Sequence, residues 1–218
     1  MKNFAVIFDM DGTLVDNTPY HYRTWQVMFE KYGMGELPVQ TYYAEFSGVP
    51  VFDTVQRIFS DRDSVGLHQL VNEKETIYQR LYTPHAAPIK GLIAFLDELK
   101  QNGIKIAIAS SASIHDIDFV LDRIHVRDYF DVIIDGSQVS KGKPNPEIFL
   151  KAAAHLQTPP EHCAVIEDSI AGIKAGNGAG MKVIGITTGN TAEKLQPSAM
   201  VINDFTALSV KKLAALFN

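Results

Sequence analysis

The sequence predicts an α/β protein: a doubly wound parallel sheet with a helical segment inserted after its first strand. Three observations carry that expectation. The apolar run at 4–8 stops abruptly at Asp9-Met10-Asp11-Gly12-Thr13. From residue 88 onward, short apolar runs alternate with amphipathic stretches, and between residues 17 and 85 only helical periodicity is present.

The first run, Phe4-Ala5-Val6-Ile7-Phe8, carries no charge and is rich in β-branched and aromatic residues. That composition suits a central strand of a parallel sheet, and Asp11-Gly12 supplies the turn that ends it. Residues 19–32, 51–59 and 65–82 repeat their apolar positions at helical spacing, with turn signals at Gly33, Gly48 and 61–63. Short connections at 15–18 and 84–88 are expected to act as hinges, which gives a sheet domain of residues 1–16 and 86–218 and a helical domain of residues 17–85. Strand candidates then fall at 104–109, 132–134, 164–166, 183–186 and 200–202. Helix candidates at 91–101, 114–124, 146–156, 169–179 and 206–217 separate them in the βαβ rhythm of a sheet covered on both faces.

Composition narrows the function. With 218 residues, 46% hydrophobic and 21% charged, the chain can bury a sizeable core. A net charge of -5 and no Lys/Arg cluster argue against nucleic-acid phosphates or an anionic lipid surface as partner, so a small molecule is expected. Cys163 is the only cysteine, which excludes an internal disulfide and a Cys-based zinc site and suits a reducing compartment. The N-terminus has one lysine and no long apolar stretch, so a cytoplasmic protein with no membrane span is expected. Nothing in the sequence sets the oligomeric state; a monomer would suffice.

Four features carry chemistry. Three sit at the end of a predicted strand: Asp9 with Asp11, Ser110, and Glu167 with Asp168. The fourth is Lys143, in the loop Ser140-Lys141-Gly142-Lys143-Pro144. In a parallel sheet such ends converge on one crevice. Four carboxylates cannot all stay ionised there without a cation, and oxygen ligands with room for water favour magnesium. An anionic Asp could then attack an anionic phosphoryl group, with Ser110 and Lys143 holding the other phosphoryl oxygens. The residues alone leave open which of Asp9 and Asp11 attacks.

In this order and spacing, Asp-x-Asp-Gly-Thr, the strand-end Ser, the Lys-Pro loop and Glu-Asp-Ser followed by Ala-Gly-Ile resemble the haloacid dehalogenase superfamily. The likeness is to its phosphatase and β-phosphoglucomutase-like branch, which has a helical cap after the first strand, and it covers nearly the whole length. It implies a Rossmann-like core with Asp9 as nucleophile and Asp11 as general acid/base. It also implies a magnesium ion held by Asp9, the Asp11 carbonyl and Asp168, with Glu167 as a nearby or water-bridged ligand. Ser110 and Lys143 match the family's phosphate contacts, with neighbouring Ser111 able to serve in place of Ser110. In the cap, Gly48, His21 and Lys74 are expected to contact the substrate.

Competing readings are weaker. The twelfth position counted from Asp9 is Tyr20, which excludes a calcium loop. The glycines of 172–180 follow a helix and not a strand, so close packing or a helix end is expected in place of a dinucleotide loop. A phosphoacceptor signalling module would carry its acceptor Asp after the third strand, and a dehalogenase would not need Asp11.

On substrate, the chain departs from the mutase pattern. β-Phosphoglucomutase has an arginine in the cap loop after Gly-Val, where this chain has Val51 in Ser47-Gly48-Val49-Pro50-Val51. The mutase's Lys-Asn pair beyond the strand-end serine is also missing from Ser110-Ser111-Ala112-Ser113-Ile114-His115. Charge-assisted bonds contribute about 1.5–3 kcal/mol each, so a second phosphate would be poorly held. The expected activity is therefore hydrolysis of a small phosphorylated metabolite, of the sugar-phosphate class. Mutase activity is the alternative, favoured by Pro19-Tyr20-His21 and Lys74.

Overall fold

The computed structural model describes residues 4–217. Lys2, on which the expectation about the N-terminus bore, and Asn218 lie outside them. The chain divides into two compact units, Met1–Asp16 with Ala87–Asn218, and Asn17–Ala86. Strand β1 is Ala5–Phe8; helices α1 (Thr18–Lys31), α2 (Val39–Glu45), α3 (Val51–Ile58) and α4 (Ser64–Tyr82) form the second unit. The first unit resumes with α5 (Leu92–Gln101), β2 (Lys105–Ala109), α6 (Ile114–Arg123), β3 (Val132–Ile134) and α7 (Glu147–His155). Then come β4 (Cys163–Glu167), α8 (Ile170–Gly178), β5 (Lys182–Ile186), β6 (Met200–Ile202) and α9 (Val210–Ala214).

The six strands lie in the order β3-β2-β1-β4-β5-β6, with every pairing parallel. The uncharged run at 4–8 becomes β1 at the centre, with all four of its residues fully buried. Each large side chain so buried contributes about 1.5–3 kcal/mol, and its two faces use alternate residues. Ala5 and Ile7 pack with Phe149, Ala152 and Ile173 from α7 and α8. Phe8 meets Phe95 of α5 and Phe205 on the opposite face, with ring centroids at 6.2 and 6.0 Å.

The strand order reverses at β1. Strands β2 and β3 extend to one side, and the chain then crosses to place β4 on the other. In open α/β sheets the crevice at such a switch point is where ligands bind. Pairing runs one residue past the end of β1, where the Asp9 amide donates to Ile166 O at 3.0 Å, so Asp9 emerges beside the end of β4. The segments that leave and re-enter this unit are also paired: Val15 bridges Pro88, and the Ile89 amide donates to Leu14 O at 2.9 Å.

Two elements differ from expectation. The C-terminal helix expected at 206–217 is broken: Asp204 caps a 3-10 turn at Phe205–Ala207, Ser209 caps a five-residue α9, and a second 3-10 turn ends the described chain. Each polar side chain captures a backbone N–H that a continuous helix would have needed. Helix α2 has no sequence signature, because its seven residues are mainly β-branched, aromatic or polar and only Tyr42 is buried.

The helical unit has its own core, built from Trp25, Met28, Tyr42, Phe46, Val55, Phe59, Leu67, Leu70 and Ile77 among others. Pro19 sits in the first turn of α1 and Asp63 caps α4 by accepting from the Gly66 amide. Among the described residues no helix is long and apolar enough to cross a membrane.

Candidate active site

Asp9 leaves β1 into a tight loop in which the Thr13 and Leu14 amides both donate to Met10 O and the Gly12 amide donates to Val15 O at 2.8 Å. Gly12 takes φ 78°, the left-handed region that favours glycine. A Cβ there would also lie 2.3 Å from Asp168 Oδ2. The turn that the Asp-Gly pair predicts is therefore also one wall of the site.

Glu167 is the last residue of β4 and Asp168 follows it. With Asp9 they form a buried cluster in which one carboxylate oxygen from each lies within 4.8 Å of the others. Lys143 reaches the same place from the loop before α7. Its Nζ donates to Asp9 Oδ1 at 2.5 Å and stands 3.5 Å from Glu167 Oε1, with its side chain only 5% exposed. The Phe149 ring centroid is 4.9 Å from that ammonium.

The charges do not balance. Burial and the Glu167 carboxylate push Asp9 up to about 8, against the pull of Lys143. Burial, Glu167 and Asp9 hold Asp168 well above the usual carboxylate range. Burial works against the charge of Lys143, yet Asp9 and Glu167 outweigh it and hold the ammonium above its ordinary range. One ammonium thus faces three buried acids, so the cluster either retains protons or takes up a cation. The donors are all carboxylate oxygens, which suits a hard divalent cation.

Glycines make room for these acids. A Cβ at Gly172 would lie 2.0 Å from Glu167 Cδ, and one at Gly189 would lie 2.0 Å from Asp168 Oδ2. Ser169 caps α8 through the Gly172 amide and donates its hydroxyl to Glu167 Oε1 at 3.0 Å. The glycine-rich stretch expected to follow a helix in fact begins inside α8, directly after β4. Close packing is the reason for it: a Cβ at Gly176 would meet Val183 Cγ2 at 2.6 Å.

Asp11 is partly exposed, and its carboxylate is not one of the three clustered acids, although its charge is felt by both Asp9 and Asp168. Ser110 ends β2 and is buried; its Oγ accepts from the Ala112 amide at 3.1 Å, which leaves the hydroxyl hydrogen to donate. Ser111 is half-buried, with its carbonyl against Gly136. Ser113, not Ser110, caps α6.

The remaining expected residues lie in the helical unit. Lys74, 1% exposed, donates to Glu75 Oε1 at 3.1 Å and lies 3.2 Å from His21 Nδ1. His21 stacks on Tyr78 with centroids 4.0 Å apart. Gly48 lies in an exposed turn with no atom packed where a Cβ would stand.

Sequence reasoning missed the loop after β5. The Thr188 hydroxyl donates to Gly12 O, Asn190 Nδ2 donates to Asp168 O at 3.1 Å, and Gly189 abuts the Asp168 carboxylate. This loop joins the Asp9-x-Asp11 turn to Asp168. Its available signal was Thr187-Thr188-Gly189-Asn190 at the end of a buried strand, where ligands of such sheets gather.

The site is a strand-end acid cluster with a lysine at the switch point of a parallel sheet, and comparison with known proteins gives its class as that of α/β hydrolytic enzymes. Residues 6–186 match the family model for haloacid dehalogenase-like hydrolases. The chain belongs to that family. It is 33% identical over 195 residues to β-phosphoglucomutase of Bacillus subtilis, covering 85% of this chain and 84% of that protein. It is 32% identical over 186 residues to a phosphorylated carbohydrates phosphatase of Thermotoga maritima, covering 83% of each. Among solved structures, a β-phosphoglucomutase from Clostridium difficile superposes with a TM-score of 0.86 at 29% identity, covering 98% of this chain and 96% of that one.

Proposed function

We propose that the protein is a magnesium-dependent phosphatase that hydrolyses a small phosphorylated metabolite of the sugar-phosphate class through an aspartyl-phosphate on Asp9. The observation that carries this is Lys143 Nζ at 2.5 Å from Asp9 Oδ1 within a three-carboxylate cluster. It pairs a nucleophile, anionic once a cation offsets Glu167 and burial, with a cationic phosphate contact in a site short of positive charge. Asp9, Asp168 and the Asp11 carbonyl would hold the magnesium ion, with Glu167 beside them; when bound, it offsets the charge of the acids and of the incoming phosphoryl oxygens.

Asp9 attacks phosphorus and the bond to the leaving oxygen breaks, with Asp11 giving that oxygen its proton. Asp11 then takes a proton from water, which attacks the phosphoryl group and frees Asp9 and inorganic phosphate. Asp11 suits this role because it stands outside the clustered acids and is partly exposed. Lys143 and the Ser110 hydroxyl hold phosphoryl oxygens, and Lys143 offsets the charge that develops on them. Ser111 offers a second hydroxyl at the same strand end. In the helical unit, Gly48 is exposed and is assigned to leaving-group selection, whereas Lys74, expected there too, is 1% exposed and engaged with Glu75 and His21 inside that unit.

Relatives named for phosphatase activity on phosphorylated carbohydrates support the substrate class. Likeness to two β-phosphoglucomutases favours the mutase as the second reading. Val51 and Ser113-Ile114 weigh against it, since they supply no cation for a second phosphate. A magnesium-containing panel of sugar phosphates, nucleotides and pyrophosphate decides between them. Phosphate release, greatest on a sugar phosphate, is the expected result. Conversion of β-glucose 1-phosphate to glucose 6-phosphate faster than phosphate release would establish the mutase, and neither conversion nor release from any compound would overturn both.

A further inference from the structure

Lys143 is brought to Asp9 by a loop with little regular structure. Between β3 and α7 the chain has one 3-10 turn, at Gly136–Gln138, and is otherwise irregular. Loops of this kind are by default the more mobile parts of a protein. Yet this one holds an ammonium within hydrogen-bonding distance of Asp9, and a misplacement of about 1 Å at a reacting centre can cost about 10²-fold in rate.

One carboxylate outside the acid cluster gathers this loop. Glu147 Oε1 accepts from the Ser140 amide at 3.0 Å, and Oε2 accepts from the Ser140 hydroxyl at 2.7 Å and the Lys141 amide at 3.1 Å. Lys151, one turn further along α7, stands 3.1 Å from Oε1 and also donates to Gln138 O. On the other side of Lys143, the Glu147 amide donates to Asn145 Oδ1 at 3.0 Å, and the Asn145 amide donates to Gly142 O at 3.0 Å. Both flanks of Lys143 are therefore fastened to a single residue. Two residues on, Phe149 supplies the ring against which the ammonium lies.

We propose that Glu147 is a positioning residue, whose carboxylate holds the 140–145 loop in the form that delivers Lys143 to Asp9. A helix-terminal acid whose only task was to favour the helix dipole would not need three bonds to a preceding loop. The Ser140 hydroxyl and amide, ahead of Lys151, draw Glu147 down to about 2, so the carboxylate keeps its accepting form through the neutral range. The catalytic consequence rests on the phosphatase reading; the placement of Lys143 does not.

The test therefore has two readouts. Lysine acylation mapped by mass spectrometry reports whether Lys143 is held: it should be protected in the wild type and label severalfold faster in Glu147→Ala, with Glu147→Gln between. Glu98→Ala serves as the control, since it removes a carboxylate that accepts the Val210 amide in the same unit; it should leave Lys143 protected. Turnover in a double-mutant cycle reports the consequence. Glu147→Ala should lower kcat about tenfold or more with a smaller change in KM, and add little further loss in a Lys143→Ala background.

Unchanged labelling of Lys143 in both Glu147 variants overturns the proposal, whatever the turnover. The same fold loss in both backgrounds also overturns it, because that is the signature of a general structural defect. Faster labelling in a protein whose wild type releases no phosphate would retain the positioning role and sink the phosphatase reading alone.

Discussion

Each of the two units buries a lysine, and the two are partnered in opposite ways. Lys143 in the sheet unit faces Asp9 and Glu167 with Asp168 alongside, three acids to one ammonium. Among the described residues Lys74 in the helical unit meets one acid, Glu75, beside His21, which stacks on Tyr78, and Asn17, which donates to the Tyr78 hydroxyl at 2.7 Å. The second arrangement joins α1 to α4 and is close to charge balance. The first leaves negative charge over at the switch point of the sheet, a surplus that a divalent cation would offset.

The largest expected effect follows from removing the acid at the centre of the surplus. Asp9→Asn should abolish turnover, by on the order of 10⁴-fold or more if Asp9 is the nucleophile. It should do so without lowering the melting temperature in chelator. The sign follows from linkage. With Asp9 pushed up to about 8, the folded chain between pH about 4 and 8 keeps a proton that the unfolded chain has lost, so stability falls as pH rises through that window. The fall should be shallower in Asp9→Asn and should flatten in the wild type when magnesium is added. Thermal melts at stepped pH, with and without the cation, measure it; a steeper fall in the variant would contradict the charge surplus.

A smaller effect is expected where the surplus is shaped and not created. Gly189→Ala would place a methyl 2.0 Å from Asp168 Oδ2, and the carboxylate can swing away at little cost to the fold. Divalent-cation affinity should drop about 10- to 100-fold, with turnover recovered at high magnesium and the melting temperature in chelator nearly unchanged. Titration of activity against magnesium measures it, and wild-type dependence would remove Gly189 from the site.

These two positions also differ in how far sequence reveals them. Asp9 and Glu167 each close an uncharged apolar run that reads as a buried strand, Asp168 follows one residue on, and Lys143 stands before a proline in a loop between predicted elements. Pattern alone places them at one edge of a parallel sheet. Gly189 comes 21 residues after Asp168 in numbering, in what reads as an ordinary turn, and it meets the carboxylate only because β5 pairs directly with β4. Glu147 is hidden for a related reason: an acid in the first turn of a helix is common, and its three loop bonds depend on a backbone path that local propensity does not encode. Helix α2 and the broken C-terminal helix escape because side-chain caps and burial of a single tyrosine, not apolar periodicity, decide them.

The smallest effect is expected in the balanced cluster, and it is one of stability. Lys74→Met keeps the length and apolar stem of the side chain and removes only the ammonium. Glu75 then loses its ion pair, but its side chain is 15% exposed against 1% for Lys74, so it can turn toward water or take a proton. The loss should be about 1–3 kcal/mol, short of the ~3–5 kcal/mol typical when a fully buried charge is stranded. His21 should keep its stack on Tyr78, since that contact needs no charge. Denaturant melts of Lys74→Met, Glu75→Gln and the pair measure the coupling. A double variant as stable as the wild type would mark Lys74 as half of a replaceable pair. A double variant weaker than either single would mean that the ammonium also supports His21, and that the contrast with Lys143 is one of degree.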